Sequence, residues 1–473
     1  MTQGHEKKLG VVAMTALVVG AVVGSGIFSL PQNMAEGAGA GPILIAWVIT
    51  FIGMLALTRI FQWLSLNRPD INDGVYGYAR TGFGDYLGFN AAWGYWISVW
   101  VGNVGYLVLL FSALGSFSSL GFFGEGSTLP AMLCGLVVLW TLHSFVLRGI
   151  RSAAILNIIV TLAKIVPICL FILCVMLAFK VETFQMDFWG HEALGSITDQ
   201  VKNTMLYTVW VFLGIECATV YANRAHNMKV VSQATLIGFF ITISLLVCVS
   251  VLSLGVVPQA ELATMRNPSM AAVMERAVGP WGGVLINLGL IISVSGALLA
   301  WSMISSEMLY LAARGKQNTA PTFFGRLNSH GTPANAMWLT NALISLFLII
   351  NHFNDAGYNL LIQLASSMAL IPYLLCAAFG LKLALKAEVR SVTLIGLTAL
   401  GTLYGAWLIY AGGTEFLLLS MILYMVGAPF YLKARHERGE KLFASPLETT
   451  GAVFVVVLGI SALYLLNVGE LVI

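Results

Sequence analysis

The chain has 473 residues, 58% of them hydrophobic and only 10% charged. Soluble domains carry about 25% charged residues, so this composition excludes a water-soluble fold and points to a chain dissolved in a lipid bilayer. The formal net charge of +3 gives no basic surface for nucleic acid; where the charges sit matters more than their sum.

Crossing about 30 Å of hydrocarbon takes about 20 apolar residues. Runs of that kind lie at about 10–31, 41–66, 86–116, 129–147, 154–180, 203–222, 230–257, 282–313, 334–353, 357–384, 391–411, 414–434 and 447–468. They predict an all-α, multi-pass membrane protein of thirteen spans. The longest connections, 181–202 and 258–281, are too short for a soluble domain. Cytoplasmic loops are rich in Lys and Arg. With the N-terminus inside, 19 of the 24 Lys and Arg face the cytoplasm; Lys180, Lys202, Arg266 and Arg276 fall outside and Lys164 falls within a span. The expected setting is a bacterial inner (cytoplasmic) membrane, with the N-terminus cytoplasmic and the C-terminus on the outer face.

Two spans carry interruptions. Span 1 contains Gly20, Val23, Gly24, Ser25, Gly26 and Ile27 and is expected to be closed by Pro31. Glycine weakens a helix by about 1 kcal/mol against alanine, and proline by more. Span 6 contains Gly214, Ile215, Glu216 and Cys217, with the glutamate in mid-span. Opened backbone at membrane depth is tolerated where it lines a cavity or is packed in protein. Interruptions in a first and a sixth span are what two inverted five-helix repeats place at corresponding positions. The freed amides suit a carboxylate and the freed carbonyls an ammonium, the two groups an amino acid carries. Close helix packing is the structural alternative for the glycines.

Gly24-Ser25-Gly26-Ile27-Phe28-Ser29-Leu30-Pro31 resembles the span-1 signature of the amino acid–polyamine–organocation superfamily. Trp210-Val211-Phe212-Leu213-Gly214-Ile215-Glu216 resembles its span-6 signature, and Tyr95-Trp96 with Trp100-Val101-Gly102-Asn103 its span 3. Ala91-Ala92-Trp93-Gly94-Tyr95-Trp96 and Arg266-Asn267-Pro268-Ser269-Met270-Ala271 are most similar to the basic amino acid antiporters, especially bacterial arginine–ornithine exchangers. The resemblance covers nearly the whole chain. It implies a leucine-transporter-like, five-plus-five inverted-repeat core over residues 1–384, with repeat one at about 8–180 and repeat two at about 203–384. Three additional helices follow over 391–473. It also implies exchange of a basic amino acid for a related amino acid or its amine by alternating access. The best-matching pair is arginine and ornithine; histidine–histamine, lysine–cadaverine and proton-coupled uptake are the alternatives. The sequence departs from the nearest exchangers at Cys217, followed by Thr219-Val220-Tyr221-Ala222-Asn223, where they have smaller residues. A homodimer is compatible with the resemblance.

Lys164, Glu216 and Glu307 are the acids and bases read as deep within spans. Each costs on the order of 2.5–3.5 kcal/mol at a helix centre, so each is expected to face protein or a water-filled cavity. By resemblance, Lys164 in span 5 stands where sodium-coupled relatives hold a cation, between spans 1 and 8; a permanent structural ion pair is its alternative. Glu216 is expected to gate, to take a proton, to hold the amides of the opened span 1, or to cap its own broken helix. Glu307 lies six residues after Trp301, which places the two on faces about 120° apart and leaves open whether Glu307 contacts substrate. Trp210, Trp301 and Tyr95 coincide with gate or pocket positions of the family, and Asn103 offers a polar contact in span 3. The six cysteines, Cys134, Cys169, Cys174, Cys217, Cys248 and Cys376, read as buried small hydrophobes. No metal-ligand, phosphate-loop or nucleophile constellation appears, so the chain is read as a transporter without cofactor or metal, not an enzyme. A channel would show a repeated filter or a charged ring.

Overall fold

Charge-free runs of Leu, Ile, Val, Phe and Ala become helices in a bilayer because only a helix or a closed barrel satisfies its own backbone there. The computed structural model describes residues 10–71, 73–149, 154–216, 228–315, 318–354, 357–386 and 391–471. In chain order its longer helices are α1 (Val11–Val22), α2 (Gly26–Gly37), α3 (Ala40–Asn67), α4 (Gly74–Phe83), α5 (Asp85–Gly115) and α6 (Leu129–Leu147). They continue as α7 (Ala154–Ala178), α8 (Ile197–Trp210), α9 (Met228–Ser253), α10 (Ser269–Val278), α11 (Pro280–Ala313) and α12 (Ala334–Asn354). The last five are α13 (Gly357–Lys386), α14 (Val392–Ala411), α15 (Gly413–Val426), α16 (Ala428–Arg438) and α17 (Pro446–Val468). Among the described residues, ten helices are long and apolar enough to cross a membrane, or up to eleven if the bent pair α1–α2 is one span.

The protein is therefore an all-helical, multi-pass membrane protein, and most predicted spans coincide with helices to within a few residues. Three differences have physical causes. The first predicted span does not end at Pro31; that proline lies inside α2 as its sixth residue, and the helix runs on. The sixth begins earlier, because Ser196 caps α8 by accepting the Asp199 amide at 3.2 Å. The connections read as loops hold α10 and two five-residue helical turns, Val181–Gln185 and Gln259–Ala263.

The core is centred on α5, which packs most heavily against α13 and α11. In its most apolar window 94% of residues are buried within the protein, against 22% in α17. The difference is one of solvent: α17 shows its Val, Phe and Ile side chains to the outside, as a lipid-facing helix does. The same distinction corrects the cysteine reading. Cys376 is buried, but Cys134 and Cys169 are exposed, because an apolar run marks removal from water and not burial in protein. The Glu448 carboxylate is 1% exposed and accepts the amides of Tyr86 (3.0 Å) and Ala444 (2.6 Å). It thereby caps the start of α5 and ties it to α17.

Candidate substrate site at two helix openings

The helix axis bends by 50° between α1 and α2. Val23, Gly24 and Ser25 form the opening, with Val23 at φ −71°, ψ 87°; Gly26, Ile27 and Phe28, read as part of the break, already belong to α2. A helix end leaves four carbonyls without intrahelical donors. Here the Val23 amide turns back to the Val19 carbonyl at 2.8 Å. The Gly20 carbonyl accepts from the Lys164 ammonium at 2.7 Å. Lys164 stands in mid-α7 and is 4% exposed. Val23, Ser25 and Ile27 are fully enclosed.

The second opening follows α8. The helix stops at Trp210, and residues 211–216 form tight turns. The amides of Phe212 and Ile215 bond three residues back, to Val209 at 3.0 Å and Phe212 at 3.2 Å. Gly214 has φ +104°, a backbone that any side chain would strain. A Cβ there would also lie 3.1 Å from the Ala21 carbonyl and 3.3 Å from the Trp301 ring, so the two openings face each other across this glycine. The Glu216 carboxylate accepts from the hydroxyls of Tyr95 and Tyr373, the latter at 2.7 Å, and from the Gly214 amide at 3.2 Å. It thus caps its own opened strand and anchors it to α5 and α13.

Beside the second opening, against one face of α5, lies a cavity lined by Tyr95, Asn103, Trp210 and Trp301, together with Ser98, Val99, Gly102, Tyr106 and Leu213. Four residues chosen from sequence are therefore brought together. Four of those missed were legible in part: Ser98, Val99, Gly102 and Tyr106 share with Tyr95 and Asn103 the three-to-four-residue spacing of one face of α5. Trp210 fills a slot between two glycines, since a Cβ on Gly26 would fall 2.7 Å from its indole and one on Gly102 2.8 Å from it. Tyr106 meets the same indole edge to face, at 5.6 Å between ring centroids. Asn103 is 1% exposed, and neither its carboxamide oxygen nor its nitrogen has a hydrogen-bond partner among the described residues. A buried polar group left unpaired costs about 1–3 kcal/mol, so this carboxamide is the cavity's strongest polar handle.

Other sequence-chosen residues fall elsewhere. Glu307 is exposed on α11 and is not among the residues lining the cavity with Trp301, as the offset of about 120° between them anticipates. Cys217 and residues 219–223 lie outside the described residues. Ser293 and Ser295, on the helix expected to face Lys164, do not bond it. The Ser293 hydroxyl is buried without a partner among the described residues, and Ser295 is exposed and returns to the Ile291 carbonyl at 2.8 Å.

Residues 9–458 match the family model described as Amino acid permease. The chain is 50% identical over 458 residues to a Pseudomonas aeruginosa protein named Arginine/ornithine antiporter, covering 94% of each chain. It is 40% identical over 482 residues to the Arginine/agmatine antiporter of Chlamydia pneumoniae, covering 98% of each. It is likewise 40% identical over 474 residues to the protein of that name from Chlamydia abortus, covering 98% of this chain and 97% of the relative. With its helical architecture and paired openings, the chain belongs to the amino acid permease family of the amino acid–polyamine–organocation superfamily.

Proposed function

We propose that this protein is a secondary antiporter that exchanges arginine for ornithine across a bacterial cytoplasmic membrane. It works by alternating access on a thirteen-span, five-plus-five inverted-repeat scaffold with the N-terminus inside. The observation that carries the reading is the Asn103 carboxamide, without a partner among the described residues and buried in the cavity that Trp210 and Trp301 also line. The amides that open α2, around Ser25–Ile27, suit the substrate α-carboxylate, as helix N-termini suit anions. Carbonyls at the end of α1 and around Gly214–Ile215 suit the α-ammonium. Asn103 accepts from the cationic side chain, and Trp210, on the outer side, and Trp301 offer ring faces to it. Glu216 with Tyr95 holds the second opening as a gate. Lys164 supplies a tethered cation in place of a metal ion. The likeness to proteins named for arginine exchange supports the substrate class.

Both substrates carry one positive charge, so exchange is electrically neutral and driven by the product gradient. The named arginine/agmatine relatives favour a second reading, in which the returning amine carries two charges and exchange moves net charge. Liposomes holding the purified protein separate the two. Labelled arginine should enter only when ornithine is loaded inside, at a rate unmoved by an imposed membrane potential. Uptake without internal substrate would defeat the antiporter reading. Uptake that needs internal agmatine and follows the potential would replace the ornithine reading.

A further inference from the structure

Beyond the cavity, α2 ends in a carboxamide lattice. The Asn267 carboxamide donates to the Gln32 side-chain oxygen at 2.8 Å and to that of Asn359 at 3.0 Å, and Asn33 donates to Asn359 at 2.7 Å. These bonds join α2, α13 and the segment before α10. At the edge of the lattice stands its one acid, Glu36. One carboxylate oxygen, Oε2, takes both of its bonds, from the buried Tyr207 hydroxyl of α8 at 2.7 Å and from the Asn359 amide at 2.9 Å. Glu36 is exposed, and no Lys, Arg or His among the described residues pairs with it.

Two features set this acid apart from a stabilising one. It occupies the last turn of α2, which holds no basic residue. The helix dipole there is already negative, so an acid opposes stability while deepening the local negative potential. Its donors are neutral hydroxyl and amide groups, which orient the carboxylate without cancelling its charge. The result is a held, uncompensated anion at the end of the half-helix that follows the first opening, with Oε1 left for a cation from solution.

We propose that Glu36, oriented by Tyr207 and Asn359, is an outer recognition site for the guanidinium or ammonium group of the incoming substrate. The substrate cation docks on the unshared oxygen before it enters the cavity. This rests on the arginine reading above. The discriminating variant is Glu36→Gln, which removes the charge but keeps an acceptor for Tyr207 and Asn359, so a purely structural role would leave it silent. In ornithine-loaded liposomes, E36Q should raise the KM for external arginine about three- to tenfold, in line with about 1 kcal/mol for a partly exposed charge contact. Its maximal rate and the KM at the inner face should stay unchanged. Raising ionic strength should weaken external arginine uptake by the wild type and much less by E36Q. Tyr207→Phe, which loosens the carboxylate without discharging it, should give a smaller rise. An E36Q protein with wild-type external KM and salt dependence overturns this inference while leaving the antiporter reading intact. A wild type that exchanges no arginine overturns both.

Discussion

The two helix openings are held by opposite charges. At the end of α1 the chain releases a carbonyl, and the group that meets it is an ammonium, Lys164 on Gly20. After α8 the chain presents an amide, and the group that meets it is a carboxylate, Glu216 on Gly214. Each charge matches the backbone pole it answers. They differ in anchorage. Lys164 reaches across from a separate helix and contacts the opening itself. Glu216 belongs to the opened strand and fastens it outward to Tyr95 of α5 and Tyr373 of α13. One opening is braced by a strut from elsewhere; the other carries its own tether.

That contrast sets an order of effects. The strut has no substitute, so Lys164→Met should be the most damaging change. It strands the Gly20 carbonyl at about 1–3 kcal/mol, and exchange should fall tenfold or more while membrane abundance holds. Sodium should be dispensable in the wild type, because the ammonium stays with the protein. Exchange that stops when choline replaces sodium, or a fully active K164M, would break the parallel between the two charges. Glu216→Ala should come next, with roughly tenfold lower exchange, since it strands the Gly214 amide and two hydroxyls together. Equal activity in E216A would show that the second opening needs no tether. Trp210→Leu and Trp301→Leu test the cavity wall and should each weaken substrate affinity by a few-fold, a cation–π contact being worth about 0.5–2 kcal/mol. If both leave affinity and rate unchanged, the site lies elsewhere. Tyr373→Phe should be mildest, at about twofold to fivefold, because Glu216 keeps the Tyr95 hydroxyl and the Gly214 amide as donors; the bond is worth about 0.5–1.5 kcal/mol.

How much of this was legible follows from the range of each interaction. The spans were, because apolar length is a local property: 129–147 coincides with α6 end to end. The first opening was, because Gly24 and Gly26 flank Ser25 within three residues of chain, although Pro31 does not stop the helix as expected and lies inside α2. Asn103 and Trp210 were legible through the family signatures that contain them, and Trp301 through its coincidence with a gate or pocket position of the family. The partners of Glu216 were not, since Tyr373 lies 157 residues away and nothing local marks it. Nor was the lattice around Glu36, whose Asn33–Asn359 bond spans 326 residues. A lone Gln or Asn near a helix end carries no periodic signal, and its meaning appears only once three segments meet.

The seat of Trp210 has a mechanical consequence. With bare backbone at Gly26 on one side and Gly102 on the other, the indole works like a key between two tumblers: α2 cannot swing without turning the ring, and the ring cannot turn without shifting α2 or α5. Filling the cavity and moving the half-helix are then one event reported twice. In energetic language, Gly26→Ala and Trp210→Leu should not add. The smaller residue should relieve the crowding that the methyl creates, giving a coupling of about 0.5–3 kcal/mol between two positions 184 residues apart in sequence.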